Sequence, residues 1–146
     1  MMVWQDLLLD RWIDQPTLGR ALAIVLDVEQ QNLLVVDDVA DPTLAVAGAK
    51  VLAERTRRRG QFPLQLSVYV RDEAVWRRVE GFDETVRLVR ELCALLRSSC
   101  LITGDAQDPE EDFLIRPTGD ILRVTLDDDE LTVVASEPFE AVAARP

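Results

Sequence analysis

The hydrophobic residues of this chain change their spacing sharply between residues 64 and 98. In LQLSVYV, residues 64–70, apolar and polar side chains alternate, which is the period of a half-buried β-strand. In DETVRLVRELCALLRS, residues 83–98, apolar side chains recur every three or four residues, as they do on one face of an α-helix. Asp83 and Glu84 at its start suit the positive end of a helix dipole. Because both periods occur in one short stretch, the sequence predicts an α+β fold.

The segments before residue 64 follow the same two periods. VWQDLLLDRWI, residues 3–13, sets Trp4 and Leu7 on one helical stripe and predicts a first short helix. LGRALAIVLDV, residues 18–28, predicts a second helix after a break and an N-cap at Pro16-Thr17. NLLVVDD, residues 32–38, has the length and composition of a strand.

A β-hairpin is predicted for AKVLAERTRRRGQFPLQLSVYVRD, residues 49–72. Its second arm is the alternating strand, Gly60 lies in the bend, and Pro63 suits the start of a strand but not its middle. The first arm, residues 51–59, could instead continue a helix from Thr43, and that alternative stays open.

The chain after residue 99 predicts only strands and turns. CLIT, residues 100–103, is one short strand, and FLIRPTGDILRVTLDDDELTVVAS, residues 113–136, predicts three more. Turns are expected at residues 117–119 and 127–130.

These segments predict a single acidic α+β domain over residues 1–146, with no internal repeat or linker. Its sheet is expected to be mostly antiparallel, with about five to seven strands. Two short N-terminal helices and one longer helix at about 83–98 complete the prediction. Residues 137–146 are expected to form a loose tail.

The sequence offers little for catalysis. It contains no histidine, so the commonest general base and the usual zinc ligand are missing. Cys93 and Cys100 lack zinc-ligand spacing, and we expect both to be buried as small apolar side chains. We therefore predict no catalytic residue, no metal and no cofactor. With two cysteines, no secretory signal and no apolar run long enough for a membrane, the expected location is the cytoplasm.

The segment TGDAQDPEED, residues 103–112, carries five carboxylates and no cation. As an EF-hand that starts at Asp105, it would need a glycine at its sixth position and a glutamate at its twelfth. Those positions hold Glu110 and Arg116, so the EF-hand is excluded. An irregular divalent site on Asp105, Asp108 and Asp112 remains a minor alternative.

LLVVDDVADP, residues 33–42, resembles the first strand of response-regulator receiver domains, where two acids after an apolar strand hold magnesium. Asp37 and Asp38 would be those acids. The pattern fails elsewhere, because no later apolar strand ends in a candidate phosphoacceptor and the expected lysine is missing. Receiver domains also begin at this strand, whereas 32 residues precede it here.

Negative charge is concentrated in the last third of the chain. The net charge is -11; residues 1–99 hold 15 acidic and 13 basic residues, whereas residues 100–146 hold 12 acidic and 3 basic ones. Such a field repels nucleic acid and anionic membrane and speeds the encounter with a basic protein. Solubility alone is the simpler explanation. The one basic cluster, Arg55 with Arg57, Arg58 and Arg59, is either a solvated hairpin tip or a site for an acidic group on a partner or on a second copy of this chain, as in a homodimer.

Two stretches carry a family resemblance: GQFPLQLSVYVRD, residues 60–72, and CLITGDAQDPEEDFLIRPTGDILRVTLDDD, residues 100–129. They resemble small bacterial α+β proteins, many of them immunity proteins of polymorphic toxin systems. The shared pattern is F-P-x-Q-L, a helix, C-L-I with an acidic loop, and a P-x-G turn before V-x-L-D. The resemblance implies a cytoplasmic antidote that covers a toxin and needs no chemistry of its own.

The leading hypothesis is a non-catalytic protein that binds a basic toxin domain, with no nucleic-acid or membrane partner. Both acidic segments follow strands of one predicted sheet, so we expect their loops at neighbouring edges, although two separate solvated turns are the alternative. The predicted partner-binding residues are Asp105, Asp108, Glu110, Glu111, Asp112, Asp127, Asp128, Asp129 and Glu130. The other functional hypotheses are a chaperone or adaptor for a secreted effector, which would dimerise, and a nucleic-acid-mimicking inhibitor.

Overall fold

The computed structural model describes residues 2–37, 48–103, 112–127 and 132–139. Within these ranges the chain forms eight strands and three α-helices. The strands are β1 (Met2–Leu9), β2 (Leu33–Val36), β3 (Val51–Arg57), β4 (Leu64–Val70), β5 (Cys100–Thr103), β6 (Asp112–Ile115), β7 (Ile121–Asp127) and β8 (Thr132–Pro138). The helices are α1 (Gln15–Leu26), α2 (Glu73–Val79) and α3 (Phe82–Leu96), and a 3-10 turn at Gln30–Asn32 precedes β2.

All eight strands belong to one sheet, in the order β2-β3-β4-β1-β5-β6-β7-β8. The pairing of β2 with β3 is parallel, and the other pairings between these strands are antiparallel. The predicted α+β fold with a mostly antiparallel sheet is therefore confirmed, with eight described strands rather than five to seven. The hairpin prediction is also confirmed by the pairing of β3 with β4, which rules out a helix over residues 51–59.

The predicted N-terminal helix over residues 3–13 is wrong, because residues 2–9 form β1. This strand lies inside the sheet, between β4 and β5. A β-bulge between Val3 and Gln5 shifts its register, so Trp4 and Leu7, three residues apart, both reach the same core. Spacing by three is the signature of a helix, and here a bulge produces the same spacing in a strand.

The other two predicted helices are confirmed as α1 and α3. Asp14 caps α1, rather than Thr17: the Asp14 carboxylate accepts a 3.0 Å hydrogen bond from the backbone N–H of Thr17. That bond is the main reason why the pKa of Asp14 is below its usual value. The sequence did not predict α2, a helix of seven residues whose N-cap, Asp72, accepts from the N–H of Val75 at 3.1 Å.

The three helices cover one face of the sheet, where they form the main core. From the sheet, Leu7 and Leu9 of β1 and the even-numbered residues of β4 face this core, and from α3 Val89 and Leu92 do so. The indole N–H of Trp4 donates to the carbonyl of Val79 at 3.1 Å, which joins β1 to the end of α2. Burial of one apolar face on each element is what aligns the helices with the sheet.

The face away from the helices, called the open face below, has a second and smaller apolar cluster. Its buried members are Phe62, Leu101 and Val124. Phe62 belongs to the β3–β4 loop, and Gln61 beside it accepts the backbone N–H of Val133 in β8 at 2.8 Å. Five interstrand steps separate β4 from β8, which is about 24 Å in a flat sheet at about 4.8 Å a step. The contact therefore requires the sheet to curl around the open face while the loop folds over it.

The described residues 137–139 are paired in the sheet or contact its core, although a loose tail was predicted from residue 137. Glu137 and Pro138 belong to β8, and the ring of Phe139 lies 4.7 Å from that of Phe113. The rest of that tail, residues 140–146, lies outside the described ranges. Among the described helices, none has the length and apolar character needed to cross a lipid bilayer.

Candidate partner-binding site

Two of the nine predicted partner-binding carboxylates, Asp112 and Asp127, lie in described residues. Asp112 is the first residue of β6 and pairs with Val124, and Asp127 is the last residue of β7. Because β6 and β7 are antiparallel neighbours, the start of one and the end of the other lie at the same end of the sheet. The other seven predicted residues are outside the described ranges: Asp105, Asp108, Glu110, Glu111, Asp128, Asp129 and Glu130.

The side chains of Asp112 and Asp127 lie on different faces of the sheet. Asp112 is half-buried and lines a cleft on the open face together with Leu126. Asp127 is exposed and follows Leu126 directly, so the alternation of a strand turns its side chain to the opposite face. The two carboxylates thus share an end of the sheet without sharing a face.

The cleft beside Asp112 has a volume of about 240 Å³. Its described lining residues come from five strands and the β3–β4 loop: Asp6, Leu8, Arg58, Gln65, Leu101, Asp112 and Leu126. Three leucines make the wall apolar, while two carboxylates, one guanidinium and one amide supply polar groups. Arg58 donates to the side-chain oxygen of Gln65 at 2.6 Å, which ties the loop to β4 at one side of the cleft.

The strand register explains why Asp6 and Asp112 meet in this cleft. Leu8 pairs with Leu101, so the antiparallel register continues with Asp6 opposite Thr103. Thr103 in turn pairs with Asp112 on its other side, which puts Asp6 and Asp112 in line across β5. Asp6 was not predicted as a site residue, because the sequence around it predicted a helix. Its position before Leu8 in an alternating strand was the only signal available, and the bulge concealed that alternation.

The arginine cluster divides between two places: Arg55 and Arg57 both lie over Trp12, whereas Arg58, in the loop after β3, lines the cleft. Arg55 is internal: its side chain is 11% exposed, it forms a bidentate ion pair with Asp37 at 2.7 and 3.0 Å, and it donates to the carbonyl of Ile13 at 2.9 Å. The guanidinium carbons of Arg55 and Arg57 lie 4.3 and 3.8 Å from the ring centre of Trp12. The solvated-tip interpretation therefore fails for Arg55, whose role is structural.

Asp37, weighed above as a magnesium ligand, is held by protein groups instead. Besides Arg55, the amide of Gln15 donates to it at 3.1 Å. The hydrogen bond from Arg55 is the main cause that lowers the pKa of Asp37. Across the described part of the chain, no three acidic or cysteine side chains are grouped so that they could hold a metal ion.

Cys93 and Cys100 are free and buried, as predicted from their spacing. Cys93 contacts the carbonyl of Ile115, with its sulfur 3.5 Å away. Burial is the main cause that raises the pKa of the Cys100 thiol well above its usual value. A thiol in this state is a poor nucleophile, because the thiolate is the reactive form.

No protein-family model, no curated protein and no solved structure matches this chain.

Proposed function

We propose that this chain is a non-catalytic binding protein of the cytoplasm that neutralises a basic toxin domain by covering it. The observation that supports this most is the position of Asp112 and Asp127 at one end of two neighbouring strands. The sequence joins the remaining seven predicted carboxylates to those strands, since residues 104–111 lead into β6 and residues 128–131 follow β7. Acidic groups attached to one end of a sheet attract a basic partner and disfavour nucleic acid.

The resemblance to immunity proteins supports the same function from the sequence side. Its two stretches, residues 60–72 and 100–129, include the β3–β4 loop and the strands that carry Asp112 and Asp127. Loop Arg58–Pro63 and the start of β6 both border the cleft on the open face. The stretches that carry the resemblance thus contribute to one region of the folded chain.

The chaperone alternative has less support. The large apolar side chains that are exposed among the described residues lie on four different elements: Met2, Val3, Ile24, Leu95 and Val134. Single exposed apolar residues are ordinary for a protein surface. A secretion chaperone would instead need a contiguous apolar groove and a dimer, so a monomer in size-exclusion chromatography would count against it.

The proposed function predicts a toxin gene beside this chain's gene. It is tested with the variant Asp112→Asn with Asp127→Asn, against the basic toxin domain that such a gene encodes. We expect the association rate at low salt to fall by roughly threefold to tenfold, which is part of the 10- to 1,000-fold range of electrostatic steering. The salt dependence of that rate should become flatter. Stopped-flow fluorescence over a salt series measures both quantities.

The matched control is Glu29→Gln with Glu80→Gln, which removes the same charge from exposed residues on the helix side. Its association rate should stay within about twofold of the parent rate, because neither carboxylate belongs to β6, β7 or the segments attached to them. If both double variants slow association equally, net charge alone steers the partner. If neither does, the acidic end is not a partner-binding surface.

A further inference from the structure

The cleft on the open face is small for a free metabolite. Its volume of about 240 Å³ is below the roughly 300 to 1,000 Å³ that is usual for small-molecule sites. It is also open to solvent on the side of Asp6, which is exposed. A space of this size and access suits a single long side chain that a bound partner inserts.

We propose that this cleft takes one arginine side chain of the partner, as a specificity pocket of the binding surface. This inference rests on the proposed function and names the chemistry that one part of that surface recognises. The methylenes of an arginine would pack on Leu8, Leu101 and Leu126, which line the cleft. Its guanidinium would donate to the carboxylates of Asp6 and Asp112.

The charges that line the cleft favour a cation over an anion. Among the described lining residues, two carboxylates and one guanidinium give a net negative charge. Arg58, the one cation in that described set, is already bound to Gln65 at 2.6 Å. A carboxylate has about four positions that accept hydrogen bonds, so Asp6 and Asp112 can each receive a donor from the guest in addition to existing partners. The net charge of -11 adds a long-range field of the same sign.

The position of the cleft links it to the acidic end of the sheet. Asp112 belongs to both, because it starts β6 at that end and also lines the cleft. A basic partner drawn to the sheet end would therefore bring its surface over the cleft opening. Arginine is also among the residues that most often anchor an interface by filling a pocket.

The test is an NMR titration of the full chain, with N-acetyl-arginine amide as the probe and amide shifts as the readout. We expect saturable shifts centred on Leu8, Leu101 and Asp112, with a dissociation constant in the millimolar range. The uncharged isostere N-acetyl-citrulline amide should not saturate. The variants Asp6→Asn and Asp112→Asn should each raise the dissociation constant of the arginine probe by about tenfold, which is the effect of losing one charge-assisted hydrogen bond.

The variant Arg58→Gln tests whether the group bound in the cleft is positively or negatively charged, because it removes the cation from the cleft wall. It should tighten binding of the arginine probe by several-fold, since like charges repel. Glu80→Gln, on the helix side, should leave the titration unchanged. The proposal is wrong if the arginine probe gives no saturable shift, or if the citrulline probe binds equally well. It is also wrong if free leucine saturates the cleft and Arg58→Gln abolishes that binding, because Arg58 would then be holding the carboxylate of the guest.

Failure here is distinguishable from failure of the proposed function. Asp127 is absent from the cleft lining, so Asp127→Asn should slow association with the toxin domain and leave the arginine titration unchanged. Asp6→Asn should mainly shorten the lifetime of the complex, because pocket contacts affect dissociation more than association. Intact salt-dependent association without an arginine site would overturn only the present inference.

Discussion

Arg55 shows how a residue of a basic run becomes part of the interior. The sequence places it in a run of arginines at a hairpin bend, which predicts a solvated tip. Its strand neighbours explain the difference, because Val51 and Ala53 face the main core and strand alternation puts Arg55 on the same side. There the guanidinium meets Asp37, the carbonyl of Ile13 and the ring of Trp12. The basic run could be read from the sequence, but these three partners could not.

Replacing Arg55 by lysine should destabilise the fold although the charge remains. A lysine ammonium cannot form the bidentate pair with Asp37 and also reach the Ile13 carbonyl in the same planar geometry. We expect a loss of about 1.5 to 3 kcal/mol in the free energy of unfolding, the range for hydrogen bonds to charged groups. Urea denaturation measures it. Arg59→Lys, at an exposed position of the same run, should change stability by less than about 0.5 kcal/mol.

The pKa of Asp37 adds a pH dependence to the same contact. The folded state lowers this pKa below its usual value of 3.8, chiefly through the hydrogen bond from Arg55. The contribution of the pair is therefore present above pH 3.8 and is lost as the pH falls through the folded-state pKa. The stability difference between the parent and Arg55→Lys should shrink when urea titrations are repeated from pH 6 down to pH 3. A difference that stays constant over that range would contradict the role of Asp37.

At the scale of elements, the sequence predicted what local periodicity decides. The strand β4 and the helix α3 were predicted within about two residues of their ends, because each has one strong period over at least seven residues. For β3, which has no such period, the sequence left a helix open. β1 was predicted as a helix because a bulge between Val3 and Gln5 is a property of pairing with β4, and no local pattern reveals it. α2 was missed because seven residues make only two helical turns, too few for a clear stripe.

The start of α3 depends on a backbone conformation that only glycine adopts readily. Gly81 has φ 96° and ψ 149°, and its carbonyl accepts from the N–H of Thr85 at 3.0 Å. A Cβ added there would meet nothing within 4 Å, so any cost of Gly81→Ala comes from the backbone alone. We expect a loss of about 1 to 3 kcal/mol in thermal or chemical unfolding.

Gly48→Ala is the matched control for Gly81→Ala. A Cβ at Gly48 also meets no atom of the described residues within 4 Å, and Gly48 is not among the described glycines with a positive φ. The substitution should therefore be neutral or stabilise the protein by about 0.4 to 1 kcal/mol, since alanine restricts the unfolded chain. Equal losses for both variants would mean that the positive φ of Gly81 is not what sets its cost.

For the whole molecule, the candidate site depends on how the sheet curls. The sequence predicts a turn at residues 117–119 between two strands, and β6 and β7 form one hairpin around Gly119, which brings Asp112 and Asp127 to one end of the sheet. It gives no sign of the cleft, because the cleft needs loop Arg58–Pro63 to meet β7 and β8 across the open face. Contacts such as Gln61 to Val133, 72 residues apart, follow from the curvature of the whole sheet and not from any local pattern.

The last prediction concerns Phe62, whose side chain packs on the open face inside the curved sheet. Its side chain is 1% exposed and packs with Leu101 and Val124 on the open face. Phe62→Ala should reduce the free energy of unfolding by about 3 to 5 kcal/mol, the usual cost of removing a buried phenylalanine. Because the loop would lose its anchor, the N–H of Val133, bound to Gln61 at 2.8 Å, should exchange with solvent faster than global destabilisation alone explains.

Hydrogen exchange followed by NMR separates this local opening from global unfolding. In Phe62→Ala, the Val133 amide should lose more protection than the amides of β4, which pair with β1 and β3 away from the loop tip. Phe82→Ala is the control, since Phe82 packs on the helix side with its ring 5.5 Å from that of Phe113. It should lower protection at Val133 and in β4 together.

The arginine probe should also lose its binding in Phe62→Ala and keep it in Phe82→Ala, because only the first variant releases the loop that carries Arg58. Equal loss of protection at Val133 and β4 in both variants would show that the loop does not hold the curl closed.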